Sequence, residues 1–266
     1  MIERTYPTAT TPIFGVGDGR GPLVVCMHGI TANAYVFEPV IRALADRYAV
    51  ISIDQRGHGR SGRPSGYGGT DFAADVAALV EQLDQGPAIL LGHSLGARNA
   101  FVAANRHPDC VRAVVAVEFT PFIEAEVLDQ LESRVMGGDR VFADVPAIEA
   151  YLADRYPLLP PQAISRRARH GYRRTERGWQ PLTDAAAMAA TAAGLREPIE
   201  KEVAAIRQPT ILVRGAISKF VSRDAWRRTC SLRPDLRAVE VDGADHYVPE
   251  ERPEAIAAIV REIDAV

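Results

Sequence analysis

Short apolar runs alternate with longer stretches of helical periodicity along most of this chain. Six runs, PLVVCMHG (22–29), AVISIDQ (49–55), PAILLGHS (87–94), VRAVVAVEF (111–119), TILVRGA (210–216) and RAVEVDGA (237–244), read as strands. Several are apolar at consecutive positions, as strands covered on both faces are. Between them the pattern predicts helices such as 71–84 and 95–107, the second closed by Pro108. The alternation predicts an α/β protein with a mostly parallel sheet, right-handed crossovers and helices on both faces. IFGVGDG (13–19) reads as one arm of an N-terminal hairpin.

The rhythm breaks between residues 121 and 208. No strand pattern stands out there, and helices are expected near 124–136, 146–155, 162–172 and 183–194. A helical block inserted between two sheet strands is best placed as a cap over the carboxyl edge of the sheet, where open α/β folds bind ligands. The expected organisation is therefore a core domain of 1–120 and 208–266 with a helical cap of 121–207.

Composition adds bounds. Apolar residues make up 47% of the 266, enough for a sizeable core, and the net charge of −3 argues against electrostatic binding of nucleic acid. Residues 1–19 lack a basic and then apolar segment, and no apolar run reaches membrane-spanning length, so neither a secretory signal nor a membrane partner is expected. Cys26, Cys110 and Cys230 are too far apart for a metal or disulfide pattern, and a reducing cytoplasm fits them.

The chemistry is concentrated at Gly92-His93-Ser94-Leu95-Gly96. This G-x-S-x-G follows the apolar run AILL and precedes a helix, the setting that aims a serine off a sharp strand-to-helix turn. The adjacent helix N-terminus favours developing negative charge. His28-Gly29, after LVVCM, opens a loop that can present a backbone N–H to the same space. Ile30 and Leu95 are the expected oxyanion donors, through their amides. The turn Asp54–Gly62 reads as architecture: Asp54 and Arg56 tie loops together, and His28 and His58 brace them.

These three motifs, in this order, resemble the α/β-hydrolase superfamily over nearly the whole chain. Nearer segments, among them EAYLADRYP (149–157), SKFVS (218–222), SLRPDL (231–236) and GADHYVPE (243–250), resemble the family of enamide hydrolases of bacterial vitamin B6 degradation. That resemblance implies an α/β-hydrolase fold and hydrolysis of the amide bond of a small dicarboxylate.

In this fold the base follows the last strand, which selects His246 over His93 in the elbow, His107 at a helix end and His170 in the cap. The acid commonly follows TILVRG, but the loop there, Ala216–Val221, holds no carboxylate before Asp224. Glu118, at the end of VRAVVAVEF, is the expected acid, because the resembled family takes its acid from that loop. The family carries Asp there, so Glu is a departure whose extra methylene has to be accommodated. Asp224 and Asp245 remain rivals.

Residues 151–177 carry seven arginines against Asp154 and Glu176, a net +5 that leaves −8 for the rest of the chain. Most such arginines belong on a solvated face. Inward-facing ones would select anions, since Arg holds a carboxylate bidentately. The resemblance carries Arg134, Arg155 and Tyr156 as holders of the substrate carboxylates, with Arg167 a further candidate.

The expected enzyme is a serine hydrolase working through an acyl-enzyme on a small anionic substrate, with no metal or organic cofactor, as a monomer or homodimer. The competing readings are another small-acid amidase such as N-formylmaleamate deformylase, a carboxylesterase or lactonase, a cofactor-free dioxygenase and a non-catalytic binding protein.

Overall fold

The computed structural model describes residues 1–136 and 140–265. The first half of the chain runs β1 (Ile2–Pro7), β2 (Pro12–Asp18), β3 (Leu23–Met27), α1 (Glu38–Leu44), β4 (Ala49–Ile53), α2 (Gly69–Leu83), β5 (Ala88–His93), α3 (Leu95–Arg106) and β6 (Val111–Val117). After an excursion it resumes with α8 (Glu200–Ala205), β9 (Thr210–Gly215), α9 (Arg223–Leu232), β10 (Arg237–Val241), α10 (Val248–Glu251) and α11 (Pro253–Ile263). One eight-stranded sheet has the order β1-β2-β4-β3-β5-β6-β9-β10. β1, β2 and β4 pair antiparallel, and every pair from β4 to β10 is parallel.

Every residue of β3, β5 and β9 is buried, which is why these strands show no polar alternation. α1 and α11 cover one face, where Val24, Ile89 and Val115 pack with Leu44 and Ile256. α2 and α3 cover the other, where Met27, Leu90 and Val114 pack with Leu79 and Phe101. Each fully buried Val, Leu or Ile of this kind contributes about 1.5–3 kcal/mol. The outer strand β1 is exposed at five of its six positions and carries Glu3 and Arg4 there, which suits an edge that pairs on one side.

The excursion between β6 and β9 contains α4 (Ala125–Met136), α5 (Val145–Arg155), α6 (Pro161–Gly171) and α7 (Ala185–Gly194). Its helices start where local chemistry supports them: the Asp144 and Asp184 carboxylates accept the Ala147 and Ala187 amides at 2.9 and 2.8 Å, and Pro161 opens α6. The region is not helical throughout. β7 (Tyr172–Thr175) and β8 (Gly178–Pro181) form an antiparallel hairpin, extended by a bridge from Phe142 to Trp179. YRRT and GWQP are too short and too polar to show a strand period, and Gly178, at φ +123°, lets the turn close. α8 lies inside the span 121–207 expected for the cap. Its Val203, with Ile199 and Ile206, packs in the same cluster as Met27 and Phe101 of the core.

The direction of winding changes between β3 and β5, which are neighbours in the sheet. Loops at their carboxyl ends diverge and leave a crevice there. The loop from His28 and the elbow at Ser94 flank it.

Candidate active site

Ser94 sits at φ 52°, ψ −112°, a conformation that a non-glycine residue adopts only under constraint. Its N–H is held by Val117 O at 2.8 Å, and its carbonyl starts α3 by accepting Ala97 and Arg98 N–H. Both flanking glycines are required by close approach. A Cβ on Gly92 would lie 2.3 Å from Gly96 O, and one on Gly96 would lie 2.1 Å from Met27 O. The serine is thereby presented at the mouth of the crevice, in a cavity of about 60 Å³ that it shares with Ile30, Arg134, Arg155, Tyr156 and His246. The Ile30 and Leu95 amides flank Ser94, and among the described residues neither finds a protein acceptor.

His246 reaches this cavity from the loop after β10. Its Nδ1 lies 3.0 Å from Glu118 Oε2. Glu118 is fully buried, with φ 57°, and its longer side chain extends across to the loop after β9. There Gly215 N–H donates to Oε1 at 2.7 Å and Ser218 Oγ donates to Oε2 at 2.6 Å. Burial pushes the Glu118 carboxyl up to about 8, against the opposing pull of Ser218, Gly215 and Arg214. Burial depresses the His246 imidazole to about 3. A neutral ring that donates Nδ1–H to Glu118 leaves Nε2 as an acceptor. Of the two rival acids, Asp224 is exposed and pairs with Arg227 at 3.2 Å, and Asp245 makes no hydrogen bond to the imidazole.

His93 and Phe220, neither given a role from the sequence, hold this geometry. His93, next to Ser94, donates Nε2–H to the carbonyl of His246 at 2.7 Å and packs its ring 4.8 Å from the His246 ring. Phe220 covers the imidazole, centroid to centroid 4.3 Å. The local signal for either was weak, since a histidine inside an elbow and an aromatic in a loop have many ordinary explanations. The bracing residues lie where they were expected. His28 Nε2 accepts Gln55 N–H at 3.1 Å, Asp54 accepts the Ala34 and Arg60 amides, and Arg56 makes two 2.6 Å bonds to Asp75.

The cap arginines separate into two groups. Arg169, Arg173, Arg174 and Arg177 face outward or to the rim, whereas Arg134, Arg155 and Arg167 line the cavity with Ser94. Arg155 is held between two phenols, Tyr156 at 3.1 Å and Tyr151 at 3.2 Å, and its Nη2 reaches Arg134 O at 3.4 Å. Among the described residues neither Arg134 nor Arg155 has a carboxylate partner. Arg167 has one: its Nε lies 3.1 and 3.0 Å from the two oxygens of buried Glu250, and Arg166 pairs with the same carboxylate. Arg167 also covers the rings of Tyr156 and Tyr247, at 4.6 and 4.7 Å. Burial pushes the Tyr156 hydroxyl up, but Arg167, Arg155 and Arg134 outweigh it and hold the phenol below its ordinary range. Beyond His246 the cavity widens into a chamber of about 620 Å³ bounded by Leu158 of the cap and Ile217 of the core.

Among the described residues no group of three or more His, Cys, Asp or Glu is placed to hold a metal ion, and no helix is long and apolar enough to cross a membrane.

The sheet order, the elbow and the position of His246 define a class, and the chain belongs to the α/β-hydrolase family. A sequence model described as alpha/beta hydrolase fold matches residues 22–150. Within that class the chain is 51% identical over 249 residues to 2-(acetamidomethylene)succinate hydrolase of Mesorhizobium japonicum, covering 93% of this chain and 90% of that protein. The crystal structure of E-2-(acetamidomethylene)succinate hydrolase superposes with a TM-score of 0.97 at 47% identity, covering 100% of this chain and 99% of that one. N-formylmaleamic acid deformylase from Pseudomonas putida S16 shares the fold, with a TM-score of 0.77 at 20% identity over 97% of this chain and 100% of that one.

Proposed function

We propose that this chain is a serine hydrolase that cleaves the amide bond of a small, doubly anionic enamide, the chemistry named for its relative 2-(acetamidomethylene)succinate hydrolase. The observation that carries the reading is the pair of arginines in the cavity that holds Ser94 and His246, Arg134 and Arg155, neither of which has a carboxylate partner among the described residues. Uncompensated guanidinium groups beside a nucleophile favour a substrate that supplies the carboxylates itself. Tyr156, oriented by Arg155, adds a hydroxyl on the same wall.

In the reaction, Ser94 Oγ attacks the acyl carbonyl as His246 Nε2 takes its proton. Charge on the carbonyl oxygen is met by the Ile30 and Leu95 amides. Glu118 orients the imidazole and stabilises the imidazolium. The C–N bond breaks as His246 returns the proton to nitrogen. Water, deprotonated by His246, then releases the acyl group and regenerates Ser94. Every step is an acyl or proton transfer among these residues. A reducing cytoplasm suits the three free thiols, and a monomer or homodimer suffices because one chain supplies the whole site.

Turnover of E-2-(acetamidomethylene)succinate beside a series of p-nitrophenyl esters tests the reading. Enamide turnover should vanish in Ser94→Ala. Arg134→Ala and Arg155→Ala should raise KM for the dianion by roughly tenfold or more each, while KM for a neutral ester moves about twofold or less. Robust ester hydrolysis with no enamide turnover would sink the reading. Equal effects on charged and neutral substrates would remove the anion clamp.

A further inference from the structure

The loop after β9 lacks a carboxylate, yet it is tied to the relay through a hydroxyl. Ser218 Oγ lies 2.6 Å from Glu118 Oε2, the same oxygen that faces His246 Nδ1 at 3.0 Å. The amides of Phe220 and Val221 both approach Ser218 Oγ, at 3.2 Å each. They occupy its lone pairs, so its proton is directed to Glu118. Ser218 is only 7% exposed, and its own backbone is fixed. Its N–H donates to Gly215 O at 3.0 Å and its carbonyl accepts Arg214 Nη2 at 2.9 Å, while Arg214 Nε holds Val221 O at 2.8 Å. The seat is therefore held by bonds within β9 and its own loop, independently of Glu118.

The need for such a seat follows from the length of the glutamate. Its carboxylate ends three rotatable bonds from the backbone and turns broadly about the last of them. Gly215 N–H pins Oε1, which leaves Oε2 to be aimed. We propose that Ser218 is a positioning residue for the proton relay, fixing the Glu118 oxygen that orients the His246 imidazole. This rests on the reading of Ser94, His246 and Glu118 as one relay. Ser218 itself touches no reacting atom. The charged groups around the carboxylate are Arg214 on β9 and Asp245 and His246 on the loop after β10.

Steady-state rates on E-2-(acetamidomethylene)succinate from pH 5 to 10 test the role, with Ser218→Ala, Ser218→Cys and Ser218→Thr each made alone and Ser218→Ala also combined with Glu118→Gln. Loss of one hydrogen bond to a charged group should lower kcat of Ser218→Ala by roughly tenfold to a hundredfold, with KM within about twofold. The acid limb of kcat/KM should move to higher pH, because the carboxylate has lost a donor. Ser218→Thr should restore both. In the Glu118→Gln background Ser218→Ala should add less than about twofold, since its effect runs through the lost carboxylate. Ser218→Cys, nearly isosteric and a poorer donor, carries the same comparison if the alanine variant does not fold. An unchanged kcat and acid limb in Ser218→Ala, or equal losses in the two backgrounds, would overturn the role of Ser218 alone. Near-normal turnover by Glu118→Gln would remove the relay itself and this role with it.

Discussion

At the scale of single residues, the informative position is Glu118. Burial makes charge costly on both members of the Glu118–His246 pair, raising the carboxyl to about 8 and depressing the imidazole to about 3. Two groups 3.0 Å apart take up their proton as a pair, so the acid limb of the pH–rate profile belongs to the dyad and not to either residue. Glu118→Gln removes the negative charge that favours a proton on the ring and leaves His246 with burial alone. The residual activity, about 10³–10⁴ below wild type, should therefore have its acid limb at lower pH than the wild-type limb. Measured kcat/KM profiles decide this, and an unmoved limb would mean that another group titrates. Glu118 stands at φ 57°, and the donors at Gly215 and Ser218 hold its carboxylate beside His246.

At the scale of elements, a buried carboxylate ties the cap to the core. Arg166 and Arg167 of α6 meet Glu250 of α10, four residues after His246, and the Arg167 guanidinium then spreads over Tyr156 and Tyr247. Glu250 is 5% exposed, so its removal strands a buried guanidinium. Glu250→Ala should cost about 3–5 kcal/mol of stability, read from urea unfolding, and should also raise KM as the two rings lose their support. The combined change Arg166→Met, Arg167→Met and Glu250→Leu should recover most of the stability, because no charge of this cluster is then left uncompensated, but not the KM. A loss under about 1 kcal/mol in Glu250→Ala would show that water or a rearranged neighbour neutralises Arg167.

At the scale of the whole molecule, stability should depend on pH through groups far apart in the fold. His28, His58, His93 and His246 are all held below 6.5 by burial. As pH falls below 6.5 the unfolded chain binds protons that the native chain refuses, so these histidines make stability fall with acidification. Asp54, raised to about 6, and Glu118, raised to about 8, act in the opposite sense: the native chain keeps protons that the unfolded chain has lost, and stability falls as pH rises through that window. With His170 held down and Glu251 held up in the same way, five histidines outnumber three carboxyls, so the urea midpoint should peak between about pH 6 and 7 and drop on both sides, more steeply on the acid side. Monotonic gain of stability from pH 7 to pH 9 would contradict the burial of an ionisable Glu118.

The sequence by itself determined what depends on neighbours in the chain. A strand, a G-x-S-x-G and a helix in succession require the Ser94 turn, because only glycines fit where the elbow meets Gly96 O and Met27 O. Consecutive apolar runs required covered parallel strands, and element order alone selected His246. Short polar strands such as YRRT and GWQP lay below the resolution of any period. The tertiary structure decided which side chains meet. Asp245 adjoins His246 in sequence and makes no bond to its imidazole, whereas Glu118, 128 residues away, does. Arg155 and Arg167 stand in the same basic stretch, yet Arg167 meets a carboxylate on α10 and Arg155 meets none among the described residues. Ser218 was one polar residue in a loop until β9 set it against β6. For the relay and Ser218 the reason is that parallel crossovers bring strand ends together irrespective of chain distance; for the arginines it is the packing of α6 against α10, and in each case side-chain reach is settled only there.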